Sequence, residues 1–186
     1  QAADVKIGVV DIASVVERSA LGKKNQSDFQ AMKAAREGVL EFIDDHRVLT
    51  NEQALKFRDL SVKMGRNTAE NAELEKLKAD IIASDKNAKA LSVKTNITPE
   101  ERTLMQEYAQ RAQNMEQLAQ RWYREFTSEM QGWADKQKSD SLEKARKAIQ
   151  AIGKQQGYSV VFESGVAPYG ANDISDAALT ALDNAK

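Results

Sequence analysis

The chain has one histidine, His46, set in Asp44-Asp45-His46-Arg47. Imidazole is the side chain best suited to proton transfer or metal binding near neutral pH, but three charged neighbours make this run a solvated helix end. Gly22-Lys23-Lys24 has neither the upstream glycine nor the Ser/Thr that a phosphate-cradling loop needs, so nucleotide binding is not expected. Glu100-Glu101 and Asp44-Asp45 are adjacent carboxylate pairs of the kind that can share acid and base roles. Helix-terminal charge and solvated faces account for both, and only Glu100-Glu101, at a helix start, has the sign that complements its terminus. With no cysteine in the chain, neither disulfides nor thiolate metal sites can form. Catalytic residues, cofactors and metals are therefore all read as none, and an enzyme is not expected.

The informative cluster is aromatic. Trp122, Tyr123, Phe126, Met130 and Trp133 hold both tryptophans within twelve positions. At three-four spacing, Trp122, Phe126 and Trp133 suit a helix–helix seam, while Tyr123 falls on another face. Exposed Met and aromatic side chains repack against varied partners, so these five residues are the candidate binding set.

That cluster lies on the longest predicted element, one helix from Thr98 to Gln155. Thr98-Pro99-Glu100-Glu101 supplies a capping residue, a proline at the first helical position and a capping-box glutamate. Gly157 follows as a helix-stopping glycine. Met105, Tyr108, Ala112, Met115, Ala119, Trp122 and Phe126 form its seam. About 58 helical residues would span roughly 85 Å, against a radius of gyration of roughly 16 Å for a compact chain of this length. Such a rod must project from any compact body and needs a partner.

The residues before it supply that partner. Val5 to Val10 is a β-branched run that predicts a strand. Ser14-Val15-Val16-Glu17 predicts a capping box opening a short helix, with Gly22 as the break before an arm. From Lys23 to His46 the stripe is Phe29, Met32, Val39 and Ile43. Thr50-Asn51-Glu52-Gln53 and Asn67-Thr68-Ala69-Glu70 are further capping boxes, the second just after a helix-ending Gly65. From 68 to 94 the seam is Leu74, Leu77, Ile81, Ala88 and Leu91, with Ser84 as its polar gap. Outgoing helix exceeds returning helix, so the outgoing arm should jog near 47–50 or 65–67. After Gly157, Tyr158 to Glu163 is a second predicted strand and Val166-Ala167-Pro168-Tyr169 a third, demoted by Pro168 to an edge or bulge. Ile174, Ala178 and Leu182 share a face of a last helix.

The expected fold class is α+β and mostly α: a small β-barrel body formed by oligomerisation, with long antiparallel coiled-coil hairpin tentacles. The body comprises 1–22 and 156–186; the arm comprises 23–155, interrupted near 47–50, 65–67 and 95–98. A 30% charged chain with mean hydropathy −0.59 suits long solvated helices. A body of only about 53 residues is marginal alone and leaves strand edges open. Oligomerisation through Ile7, Val9 and Val161 is the expected remedy. A net charge of −1, with acidic ends and a mildly basic middle, gives no reason to expect nucleic-acid binding. No transmembrane run is present. Gln1-Ala2-Ala3-Asp4 matches what remains after signal-peptide cleavage, and equally the remnant of an expression tag.

Lys6-Ile7-Gly8-Val9-Val10-Asp11 with Gly22-Lys23, and Gly157-Tyr158-Ser159-Val160-Val161-Phe162 followed by Tyr169 and Asp173-Ile174-Ser175-Asp176, resemble the two ends of the Skp/OmpH family of periplasmic chaperones. The resemblance implies a periplasmic homotrimer with a β-barrel body and three tentacles. It also implies holdase activity without ATP on unfolded outer-membrane β-barrel proteins, and peripheral proximity to a membrane. This chain differs in its longer, interrupted arms and in lacking a strongly basic character, so no lipid-binding residues are carried over. Two other readings share the tentacled plan: a structural coiled-coil tether or spacer in the envelope, and a prefoldin-like cytoplasmic chaperone.

Overall fold

The structure, a computed structural model, describes residues 5–167, 169–170 and 172–185. Its elements are β1 (Ile7–Val10), α1 (Ile12–Arg18), α2 (Ala20–Asp45), α3 (Asn51–Val62), α4 (Thr68–Ser92), α5 (Pro99–Gln155), β2 (Val160–Glu163) and α6 (Ser175–Asn184). They form two compact units, one of residues 1–30 with 131–186 and one of 31–130. The fold is α+β and mostly helical, with one two-stranded sheet.

In the first unit the two ends of the sequence pair. β1 and β2 run parallel, in register Ile7↔Val160, Gly8↔Val161, Val9↔Phe162 and Val10↔Glu163. Parallel strands require a crossover connection, and here the entire helical excursion serves as one. The third run alongside β1 is not at Val166-Ala167, which follow β2 through a turn, with Val166 N–H donating to the Glu163 carbonyl. It is residues 172–174: Val9 donates to the Asn172 carbonyl and accepts from Ile174 N–H, both at 2.9 Å. Pro168, expected to mark an edge, lies outside the described residues, as do Gln1 to Asp4.

One sheet face closes a core. Val10, Val15, Ala145, Ala148, Ile174, Ala178 and Leu182 are buried together, with Val161 packed beside them. Thus Ile174, Ala178 and Leu182 do form one face of α6. Gly153 of α5 faces this core, where a Cβ would meet Val161 Cγ2 at 3.6 Å, an ordinary van der Waals contact. The start of α1 is set by Asp11, whose carboxylate accepts from Ser14 N–H at 2.9 Å, and not by a Ser14/Glu17 box. The break between α1 and α2 falls at Ser19, three residues before Gly22.

The second unit departs most from a simple hairpin. α3 folds back so that Phe57 stacks on Phe42 at 4.4 Å and Arg58 lies 5.2 Å from the Trp122 ring. α4 then reverses beside α3, joined by the Lys56–Glu73 and Lys63–Glu70 ion pairs. The expected jog is thus a double reversal that absorbs the surplus outgoing helix.

Each reversal has a local cause. Three of the four expected capping boxes form: Thr50 with Gln53, Asn67 with Glu70, and Thr98 with Glu101, each pair exchanging hydrogen bonds of 2.9–3.2 Å. Two orphan amides are satisfied at each start. After α3, Gly65 takes φ +69°. Arg66 caps the same end by donating to the carbonyls of Leu60, Ser61 and Lys63 at 2.8, 3.0 and 3.1 Å. The resulting core includes Val39, Ile43, Leu49, Phe57, Leu74, Ile81, Met115, Trp122 and Phe126.

Candidate functional site

The five aromatic and methionine candidates separate. Trp122 and Phe126 are buried in the core of the second unit, their rings 6.3 Å apart. There Arg58 of α3 lies over the Trp122 ring and Arg36 of α2 over that of Phe126. Met130 is half-buried. Trp133 is half-buried in the first unit, with its ring 6.1 Å from Phe29. Tyr123 alone is fully presented, with 63% of its surface exposed.

Tyr123 stands on an open groove of about 580 Å³ between α2 and α5. Leu40 and Glu41 form part of the α2 bank; Ala119, Gln120, Tyr123 and Arg124 form the α5 bank. Leu40 and Ala119 also touch the core, so the groove floor is continuous with it. The α2–α5 pair therefore buries its Val39/Ile43/Trp122/Phe126 side and presents Leu40, Ala119 and Tyr123 on an open one. Tyr123 was legible from its face; Leu40 and Glu41 were not, because only folding shows which bank lies opposite.

His46 is not a solvated helix end. Its Nδ1 lies 3.1 Å from Asp85 Oδ2 and its ring meets Phe42 edge-on at 4.7 Å. Lys89 approaches the same carboxylate oxygen at 2.6 Å. Asp85 is buried, whereas Ser84, read as the polar gap of the α4 seam, is only half-buried. Asp85 lies four residues after Ile81 and three before Ala88, so the seam spacing itself held the signal. Burial pushes the Asp85 carboxyl up, but hydrogen bonds from Lys89 and His46 outweigh it and hold it below its ordinary value.

A carboxylate with a depressed folded pKa contributes stability above its unfolded value, near 4, that is lost as pH falls through the folded one. Asp85→Asn should therefore weaken the second unit at neutral pH, with its difference from wild type closing below about pH 4. Urea midpoints across that range check this, and a pH-independent difference would refute it.

The carboxylates at the start of α5 move the wrong way for acid catalysis. The Glu100 carboxyl is lowered by its own backbone amide and then by Thr98, and Glu101 by Lys94 and then by the Thr98 amide. A general acid at neutral pH needs its pKa raised. Among the described residues no His/Asp/Glu cluster could hold a metal, and no helix is long and apolar enough to cross a membrane.

The sheet presents a second surface. Ile7, Val160 and Phe162 share the face opposite the core and are 47%, 42% and 40% exposed. Val9, on that same face, is covered at Gly170, where even a Cβ would come within 2.5 Å of Val9 Cγ1. Val161 points the other way, into the core. Of the three residues expected at an interface, only Ile7 is both apolar and open.

A family model described as "Outer membrane protein (OmpH-like)" matches residues 6–182. No curated protein and no solved structure gave a significant match. The family match covers the helical excursion as well as the two end motifs on which the resemblance rested. The chain belongs to the OmpH-like family.

Proposed function

We propose that this protein is an ATP-independent periplasmic holdase that binds unfolded outer-membrane β-barrel proteins as a homotrimer. The observation carrying this reading is the uncovered apolar sheet face of Ile7, Val160 and Phe162 in a chain of the OmpH-like family. Beside that face, β2 has β1 as its one strand neighbour among the described residues, leaving an edge that invites pairing with another copy. Each such side chain is already more than half covered, so burying the remainder between copies contributes about 1 kcal/mol, less than half of what a fully exposed one would give. Association on this scale would join the small bodies and array several groove-bearing arms around one client. Weak contacts repeated over copies give avidity without sequence specificity, and binding unfolded chains in preference to folded ones is what a holdase does.

The test dilutes a urea-denatured β-barrel protein into an equimolar amount of the trimer, without nucleotide, while light scattering follows aggregation. Suppression is expected, together with a trimeric molar mass for the protein alone. Phe162→Asp should yield folded monomers that protect poorly, whereas Val161→Asp should unfold the first unit. No protection by wild type would favour the envelope-tether reading; a monomeric wild type would remove the assembly.

A further inference from the structure

We propose that α6 is a releasable polar clasp on the start of α2, with Asp183 supplying from the far end of the chain the cap charge that α2 lacks in its own first turn. The Asp183 carboxylate accepts from Ala20 N–H, the first amide of α2, at 2.8 Å. A helix start carries unpaired amides and the positive end of the helix dipole, so a negative charge is favoured there. α2 has no acidic residue in its first turn, and Lys23 and Lys24 stand close to its start, cations at the end that repels them. The remedy for this poor local start lies 163 residues along the sequence.

The two long helices are held in the first unit by different means. α5 sends Ser141, Ala145 and Ala148 into the interior, all of them buried. The buried residues of α2 are Val39 and Ile43, and both belong to the second unit. Its start is fastened by polar bonds instead. Ser19 Oγ accepts from Gly22 N–H at 3.0 Å, Asn25 Nδ2 donates to Ser141 Oγ at 3.1 Å, and Asp183 holds Ala20.

Packing beside the Asp183 bond is open. Ala20 and Asp183 both line a recess of about 590 Å³ between the start of α2, α5 and the end of α6, with Leu21, Lys144, Ala151 and Ala181 around them. Both residues are exposed, so the bond is reached by water and ions. The Arg18–Asp176 pair beside it is exposed as well. Charge contacts of this kind weaken with salt. The apolar face of α6, at Ile174, Ala178 and Leu182, stays in the core whether or not Asp183 is engaged. The start of α2 is thus the part of the first unit that can loosen while the core remains closed, and Asp183 decides when it does.

Hydrogen exchange of the full-length protein, read residue by residue, tests this with Asp183→Ala and with Asn184→Ala, a change at the neighbouring exposed position of α6. The amides of Lys23, Lys24 and Asn25 should exchange about fivefold faster in Asp183→Ala, the effect of losing one capping contact. Those of β1 and of residues 145–152 in α5 should be unchanged, and Asn184→Ala should behave as wild type. Raising the salt to about 1 M should speed the same three amides in wild type and do so much less in Asp183→Ala. Unchanged exchange at those amides overturns the clasp. So does a rise shared equally by β1 and α5, the same rise in Asn184→Ala, or an equal salt response in wild type and Asp183→Ala.

Discussion

Trp122→Ala should destabilise the second unit by about 3–5 kcal/mol, the range for deleting a large buried aromatic. Trp122 is 1% exposed and the largest fully buried side chain. Its ring meets Phe126 in α5 and Arg58 in α3, so its loss opens a cavity where the folded-back hairpin closes on the long helix. The surrounding helices can collapse only partly into that space, and the Arg58 contact goes with the ring. The chain contains just one other tryptophan, Trp133, in the other unit. Its fluorescence in the variant therefore reports the first unit alone, while hydrogen exchange over α3 and α4 reports the second. Rapid exchange in α3 and α4 with an unchanged Trp133 signal is the expected result. A loss below about 1 kcal/mol would mean that the hairpin does not depend on this contact.

The same residue shows where sequence reasoning stops. Trp122 and Phe126 were legible as seam residues, because three-four spacing reports which side of a helix is apolar. What covers that side was not legible. A returning arm and a fold-back of the outgoing arm present the same pattern to α5, and only the identity of the partner decides whether Trp122 faces a client or Arg58. The helix boundaries were more transparent. Thr50/Gln53, Asn67/Glu70 and Thr98/Glu101 are local devices whose partners lie three residues away, so no tertiary information is needed to find them.

The strands show an intermediate case. Ile7 to Val10 and Val160 to Glu163 follow from β-branched composition, but period-2 alternation leaves open which face turns inward. Val161 was placed outward, and its neighbours Val160 and Phe162 hold that position instead. The pairing of Asn172 to Ile174 with β1, just ahead of α6, was not legible at all. The signal missed there is Ser175, whose hydroxyl accepts from Asp11 N–H at 2.9 Å and ties the end of the chain to the start of α1. A hydroxyl whose partner is 164 residues away leaves no trace in local pattern.

Gly22→Ala should be as damaging as the tryptophan deletion, for a different reason and against the helix-propensity trend. Gly22 lies in the first turn of α2, where alanine would ordinarily gain about 1 kcal/mol over glycine. Here a Cβ would sit 2.0 Å from the Val16 carbonyl oxygen and 3.1 Å from that of Glu17. Both are backbone atoms at the end of α1, so no side-chain rotation relieves the overlap. The α1–α2 corner would have to open. It is fixed by Ser19, fully buried, whose hydroxyl donates to Val16 O at 2.7 Å and accepts from Gly22 N–H at 3.0 Å. α1 cannot follow freely, because Arg18 pairs with Asp176 of α6 at 3.0 Å and Asp11 is bound to Ser175. Overpacking of this kind costs about 1–3 kcal/mol even among movable side chains, so with backbone on both sides a net loss of about 3 kcal/mol or more is expected. Gly132→Ala is the matched control. It is helical too, but nothing lies within 4 Å of its Cβ position, so the propensity gain stands alone and a rise of up to about 1 kcal/mol is expected. Urea unfolding of the two variants decides the matter: movement of both midpoints in the same direction would show that the corner is looser than its contacts indicate.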